Sequence, residues 1–190
     1  MTHMSAQYDY IWKIIVGGEG GVGKTTILYR FIHNEFIEDT KMTIGCQFHT
    51  QLLERQGKRI SLVMWDLGGQ DRFRFIQGEY IKGASGCFLL FDMSRYPTLE
   101  ACREWCDLYR QNAPGAPIVL VGTKLDLIDQ ATFDSVNQSA TALAQELGCS
   151  CFIPTSSKLG VNVNESVQYI VDLLLYQSYN LEHGTTAATQ

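Results

Sequence analysis

Residues Gly18 to Thr25 read Gly-Glu-Gly-Gly-Val-Gly-Lys-Thr, a full match to the phosphate-binding spacing G-x-x-x-x-G-K-[ST]. Glycines in such a turn let the backbone curl and aim its N–H groups at phosphate oxygens. Lys24 supplies a point charge for the β/γ-phosphates, and the Thr25 hydroxyl is placed to ligate Mg²⁺. The candidate phosphate contacts are therefore Glu19, Gly20, Gly21, Val22, Gly23, Lys24, Thr25 and Thr26. The flanks support the motif. Tyr10–Val16 is an apolar run that reads as a strand, and Thr26–Ile32 carries apolar residues at helical spacing. A helix starting at Lys24 adds its positive end to the same anion.

A phosphate loop alone serves an ATPase, a kinase or a GTPase. Asp66-Leu67-Gly68-Gly69-Gln70 follows the end of a second apolar run. An aspartate there is placed to hold Mg²⁺, directly or through water. The Gly69 N–H can approach a γ-phosphate because no Cβ intervenes, and Gln70 can orient an attacking water. Thr123-Lys124-Leu125-Asp126 follows the run Ile118–Val121. Guanine presents two adjacent donors, and one carboxylate accepts both, so Asp126 suits guanine. Adenine would leave those oxygens facing an acceptor, and buried unpaired groups are costly. The stem of Lys124 can lie over the ring, with Leu127 beside it. Ser156, Ser157 and Lys158 form a weaker candidate, a turn whose N–H groups can donate to guanine O6. The polar connector Phe36–Ile44 contains Thr43, spaced to reach Mg²⁺ and the γ-phosphate, and Phe36, which can pack on the base.

The elements that must position these residues alternate. A hairpin is expected over Thr43–Trp65, turning at Gln56-Gly57-Lys58. Helices are expected around Phe73–Lys82, Thr98–Gln111, Phe133–Leu147 and Val163–Tyr176, and short strands at Gly86–Phe91, Ile118–Val121 and Cys151–Ile153. Helices between short apolar strands imply a mostly parallel α/β sheet covered on both faces. The chain has 190 residues, enough for one domain. An N-terminal tail is expected over 1–9, the domain over 10–178 and a disordered tail over 179–190. A net charge of −5 argues against nucleic acid as a main partner. No stretch approaches the ~20 apolar residues of a membrane helix, no export signal is visible, and no anchor is expected in this chain, so a cytoplasmic protein is expected. The six cysteines read as reduced thiols; their spacing does not suit zinc.

These motifs, in this order and spacing, resemble the Ras superfamily of small GTPases over about Tyr10–Tyr176. Ile44-Gly45-Cys46-Gln47-Phe48, Trp65–Phe73, Tyr80–Ala84 and Phe91–Ser94 look most like Rab proteins. The resemblance implies a G domain with the P-loop NTPase fold: a six-stranded sheet with one antiparallel strand. It implies a Mg²⁺-dependent GTP/GDP switch with slow hydrolysis, in membrane trafficking or a related signalling role. Lys24, Thr43, Gly69 and Gln70 would be the catalytic set, and Thr25, Thr43 and Asp66 the metal ligands. Activating, exchange and effector proteins would dock on Phe48, Trp65 and Tyr80. Two departures stand out. Leu67-Gly68 resembles Arf rather than Rab proteins, and Thr123 stands where asparagine is usual. No arginine can be placed at the γ-phosphate from the sequence, so a partner is expected to supply that charge. The alternatives are a GTP-binding module with negligible hydrolysis and, less well supported by Asp126, an ATP-dependent kinase or ATPase.

Overall fold

Strand β1, Tyr10–Gly17, lies in the middle of the sheet, and Ile14, Ile15 and Val16 are all buried. A strand covered on both faces needs no polar alternation, which is why the buried half of this strand, after Lys13, is apolar throughout. The computed structural model describes residues 8–38, 41–70 and 74–184. Beyond β1 the order is α1 Lys24–His33, β2 Cys46–Arg55, β3 Lys58–Leu67, α2 Arg74–Ile81, β4 Gly86–Asp92, α3 Pro97–Glu100, α4 Cys102–Asn112, β5 Ile118–Thr123, α5 Gln130–Glu146, β6 Cys151–Pro154 and α6 Val163–Glu182. The strand order is β2-β3-β1-β4-β5-β6. Only β2 runs antiparallel, paired with β3. Their hairpin turns on Gln56 and Gly57, at φ 51° and 72°, as a two-residue primed turn requires.

Successive residues of each strand serve opposite faces. Ile14, Val16, Leu62, Met64, Phe88 and Leu90 pack under α1 and α6. Ile15, Leu89, Phe91, Ile118 and Leu120 pack with residues of α4 and α5. The five parallel strands all end at one edge of the sheet. The loops after them, and the segment leading into β2, therefore meet there, as ligand-binding loops do in such folds.

The fold has the expected class, and the differences are local. Asp66 lies within β3 rather than after it. The helix expected over Thr98–Gln111 is two helices divided at Ala101. Helix α5 begins at Gln130, because the Asp129 carboxylate caps it by accepting from the Thr132 N–H at 2.8 Å. Helix α6 continues to Glu182, so residues 179–182, expected in a disordered tail, are helical. Beyond Leu175 that helix exposes Tyr176, Tyr179 and Leu181, so no apolar period marked it. The Tyr10 hydroxyl donates to Glu182 at 3.1 Å. Residues 1–7 and 185–190, and Phe73 of the expected second helix, lie outside the described residues. No described helix is long and apolar enough to cross a membrane.

Gly17 passes α4 at Trp105 and Tyr109 with no space to spare. A Cβ there would lie 2.2 Å from the Tyr109 hydroxyl and 2.8 Å from Trp105. Tyr109 is buried and donates to the Phe88 carbonyl at 3.0 Å, so it cannot yield freely. Gly17→Ala is expected to lower unfolding free energy by about 1–3 kcal/mol. Urea titration should show a lower midpoint with an unchanged slope.

Candidate functional site

The phosphate loop leaves β1 at Gly18. There φ is +140°, and a Cβ would fall 2.2 Å from the Leu90 carbonyl oxygen, so only glycine fits. The loop ends where Ile27 N–H bonds Gly23 O at 2.9 Å, the first helical bond of α1. Lys24 is 6% exposed. Its ammonium donates to the Gly18 and Glu19 carbonyls at 2.8 and 2.7 Å. Burial lowers its pKa to about 8, against the opposing pull of Asp66 and Glu19. The Glu19 side chain turns away from the loop interior, to Arg74 at 3.1 Å and the Trp105 indole N–H at 3.4 Å. Gly69 lies against the loop. A Cβ there would be 2.5 Å from backbone atoms of Gly18, Glu19 and Gly20.

Three oxygen-bearing side chains converge beside Lys24. Thr25 Oγ1 donates to Asp66 Oδ2 at 2.5 Å, and Thr43 Oγ1 lies 2.9 Å from Thr25 Oγ1 and 3.3 Å from Asp66 Oδ2. Asp66 is fully buried, and its Oδ1 has no hydrogen-bond partner among the described residues. Burial raises its pKa, opposed by the Thr25 hydrogen bond and the Lys24 charge. An orphaned buried carboxylate oxygen asks for a partner. With two hydroxyls it forms the hard oxygen set that suits Mg²⁺. The residues present fit that ion.

A cleft lined by Gly20, Gly21, Gly23, Lys24, Thr25, Lys41, Met42, Thr43, Gly69 and Gln70 adjoins these groups. A second, lined by Thr26, Phe36, Thr123, Lys124, Asp126, Leu127, Ser157 and Lys158 among others, shares Gly21 and Gly23 with the first. The two form one groove, with the phosphate loop as common wall. Asp126 Oδ1 accepts from Ser156 Oγ at 2.5 Å, so buried Ser156 stands behind the carboxylate and orients it. Thr123 is a buried lining residue of that second cleft. Its hydroxyl is 2.6 Å from the Val22 carbonyl and 3.0 Å from that of Phe91, which joins β5 to the phosphate loop. Lys124 is at φ 60°. Its ammonium donates to Gly21 O at 2.9 Å and lies 2.7 Å from Asp92 Oδ2. Gln70 reaches across the groove, its amide nitrogen 3.8 Å from Met42 Sδ.

The aromatic trio sits at the margin of the core, with Trp65 and Tyr80 half-buried against it and Phe48 exposed. Phe48 meets Trp65 edge-on at 4.5 Å between centroids, and Tyr80 lies 6.1 Å from Trp65. Phe48 is 59% exposed. The Lys13 ammonium sits 3.7 Å above the Trp65 ring, a cation–π contact. All six cysteines are free.

Sequence reasoning missed two arginines near the loop. Arg74 pairs with Glu19 and with Glu104. Arg95 Nε donates to Asp92 Oδ2 at 2.9 Å and its Nη2 to Gly20 O at 3.2 Å. Neither lines the phosphate cleft. The signal for Arg95 was its place just past the carboxyl end of β4, at the edge where the other loops gather. Nothing in the sequence pointed to Arg74.

Comparison with known proteins agrees with this geometry. The sequence model of the Ras family matches residues 13–176. The Ras-related protein Rab2BV of Beta vulgaris is 36% identical over 166 residues, covering 87% of this chain and 76% of that protein. The Ras-related protein Rab-11A of Dictyostelium discoideum is 34% identical over 194 residues, covering 100% of this chain and 88% of that protein. The Ras-related protein RABA2a of Arabidopsis thaliana is 36% identical over 166 residues, covering 87% and 75%.

The buried ammonium gives a pH signature. The unfolded chain keeps the Lys24 proton to about 10.5, whereas the folded protein without ligand loses it near 8. Between those values the unfolded state binds more protons, so stability rises with pH. Relative to Lys24→Met, the wild type should gain on the order of 2–3 kcal/mol from pH 8 to 10.5 in urea titrations of nucleotide-free protein. An anion in the cleft favours the charged amine. Affinity for a nucleoside diphosphate should therefore fall over the same window.

Proposed function

The chain belongs to the Ras family of small GTPases, and from that premise we propose that it is a Rab-like switch that cycles between GTP and GDP. The observation that carries this reading is the single groove joining Lys24, the Thr25–Thr43–Asp66 oxygens and Asp126. One end suits a phosphate chain and the other a guanine base. Rab-named relatives support a role in membrane trafficking.

In this reading the loop N–H groups and Lys24 bind the phosphates, and Asp126, oriented by Ser156, accepts the two guanine donors. Thr25, Thr43 and Asp66 would hold Mg²⁺, which when bound neutralises charge on the phosphate oxygens. Gln70 orients the attacking water. Among the described residues, Arg74 and Arg95 are both engaged outside the phosphate cleft, and in this reading an activating partner supplies the arginine charge. After hydrolysis Thr43 and Gly69 lose their γ-phosphate contacts and the segments bearing them relax. Exchange, activating and effector proteins read that change at Phe48, Trp65 and Tyr80.

Two measurements test the reading. Asp126→Ala should lose on the order of 2–4 kcal/mol of GTP affinity, a factor of ~30 or more, without unfolding the domain. ATP binding the wild type as tightly as GTP would refute the guanine assignment. Gln70→Leu should keep GTP binding and slow single-turnover phosphate release. Wild-type release should be on the order of 10⁻³ s⁻¹ or below. Equal rates for the two proteins would remove Gln70 from the mechanism, and no measurable release from wild type would favour a GTP-binding module that does not hydrolyse.

A further inference from the structure

Asp92, the last residue of β4, is a carboxylate only 1% exposed. It accepts from Ser94 N–H at 2.9 Å, Ser94 Oγ at 2.6 Å and Arg95 Nε at 2.9 Å, and it pairs with Lys124 Nζ at 2.7 Å. Burial alone would raise its pKa, but the bonds from Lys124, Ser94 and Arg95 outweigh burial and lower it. The charge is therefore held, and it fixes two cations. Each cation has a second partner. Lys124 donates to Gly21 O at 2.9 Å, and Arg95 donates to Gly20 O at 3.2 Å. Thr123 lies 2.6 Å from the next carbonyl, that of Val22. Three successive loop carbonyls are thus held by groups that do not line the phosphate cleft.

That arrangement has a consequence for anion binding. In a planar trans peptide the C=O and the following N–H point in opposite directions. Holding the Gly20, Gly21 and Val22 carbonyls outward turns the N–H groups of Gly21, Val22 and Gly23 towards the cleft. Two of the three holding groups are the last residue of β5, Thr123, and the residue after it, Lys124. The third comes from the turn after β4, which neither touches the groove nor carries a nucleotide motif. The backbone of that turn is fixed on its own account. Arg95 N–H bonds Asp92 O at 2.9 Å, and Thr98 Oγ1 donates to Arg95 O at 2.7 Å.

We propose that Arg95, anchored on Asp92, is a positioning residue for nucleotide phosphate: it holds the Gly20 peptide so that the Gly21 N–H faces the anion. Arg95 acts through the loop and not on the nucleotide. This rests on the nucleotide reading above. The guanidinium suits the task because one planar group spans a carboxylate and a carbonyl at once.

The test is dissociation of fluorescent GDP and fluorescent IDP, which lacks the guanine 2-amino group, from the full chain with Mg²⁺. Arg95→Ala should speed both by the same factor, about fivefold, the size expected for one modest hydrogen bond. The preference for GDP over IDP should stay unchanged, because Asp126 and Ser156 are untouched. Arg95→Lys keeps the charge beside Asp92 but cannot span both partners, so it should also be fast. An unchanged GDP rate in Arg95→Ala would overturn the proposal. A wild-type rate in Arg95→Lys would overturn it too, because charge alone would then suffice. Loss of the GDP-over-IDP preference would place Arg95 with the base loop and not the phosphate loop. A wild type that binds neither nucleotide would overturn the nucleotide reading, and this inference with it.

Discussion

Lys24 and Asp66 are buried charges of opposite sign that do not satisfy each other. Each attracts the other, yet burial outweighs the attraction on both sides, lowering the lysine's pKa and raising the aspartate's. Taking two ions out of water costs more than an imperfect pair returns. Lys24 falls back on two loop carbonyls, and Asp66 keeps one oxygen unpaired. A site in that condition calls for an anion beside the lysine and a cation beside the carboxylate. A ligand that brings both stabilises the folded state by mass action. The sheet exists, in this sense, to hold the two groups in place. Asp66 is in register with Val16 across the β1–β3 pair, two residues before the loop begins. Lys24 starts the helix on the loop's far side.

The loop between them is shaped by which way its carbonyls face. Those of Gly18 and Glu19 accept from Lys24. Those of Gly20, Gly21 and Val22 are held by Arg95, Lys124 and Thr123. The direction reverses between Glu19 and Gly20, and that reversal presents a run of N–H groups to the cleft. Thr123 shows how a departure from the usual motif can be absorbed. A threonine offers one hydroxyl where asparagine offers a larger amide, and here that hydroxyl reaches the Val22 carbonyl.

How much of this was legible depended on distance along the chain. The phosphate loop could be read because its chemistry is local: strand, turn and helix within about twenty-five residues of one another. Asp66, Gln70 and Asp126 were legible as ends of apolar runs, because parallel strands deliver their carboxyl ends to one edge. Phe36, Ser157 and Lys158 line the groove. The Glu19 carboxylate, on which the loop motif makes no demand, serves Arg74 and Trp105. The outer support of the loop was not legible. Arg95 and Gly20 lie 75 positions apart, and no local pattern links them. The end of α6 was missed for another reason: its last turns bury little, so they carry no apolar period.

The aromatic trio draws its meaning from where its three elements are tied. Phe48 lies in β2, Trp65 in β3 and Tyr80 in α2, and Phe48 pairs directly with Trp65 in the strand register. Each element has a fixed point next to the groove. β2 begins three residues after Thr43. In β3, Trp65 precedes Asp66. For α2 it is Gln77, whose amide donates to the Gly68 carbonyl at 2.7 Å, and the Gly68 N–H in turn bonds Gly45 O at 2.8 Å. Gly68 therefore links the strand containing Phe48 to the helix containing Tyr80. If Thr43 and Gly69 move when a terminal phosphate leaves, the Gly45–Gly68 bond sits between them and must bend or break. Tyr80 would then shift relative to Trp65 and Phe48, which the β2–β3 pairing holds together. In the proposed reading, a surface built from two rings fixed by the sheet and one on a movable helix is how a change in a single phosphate becomes visible to a partner protein.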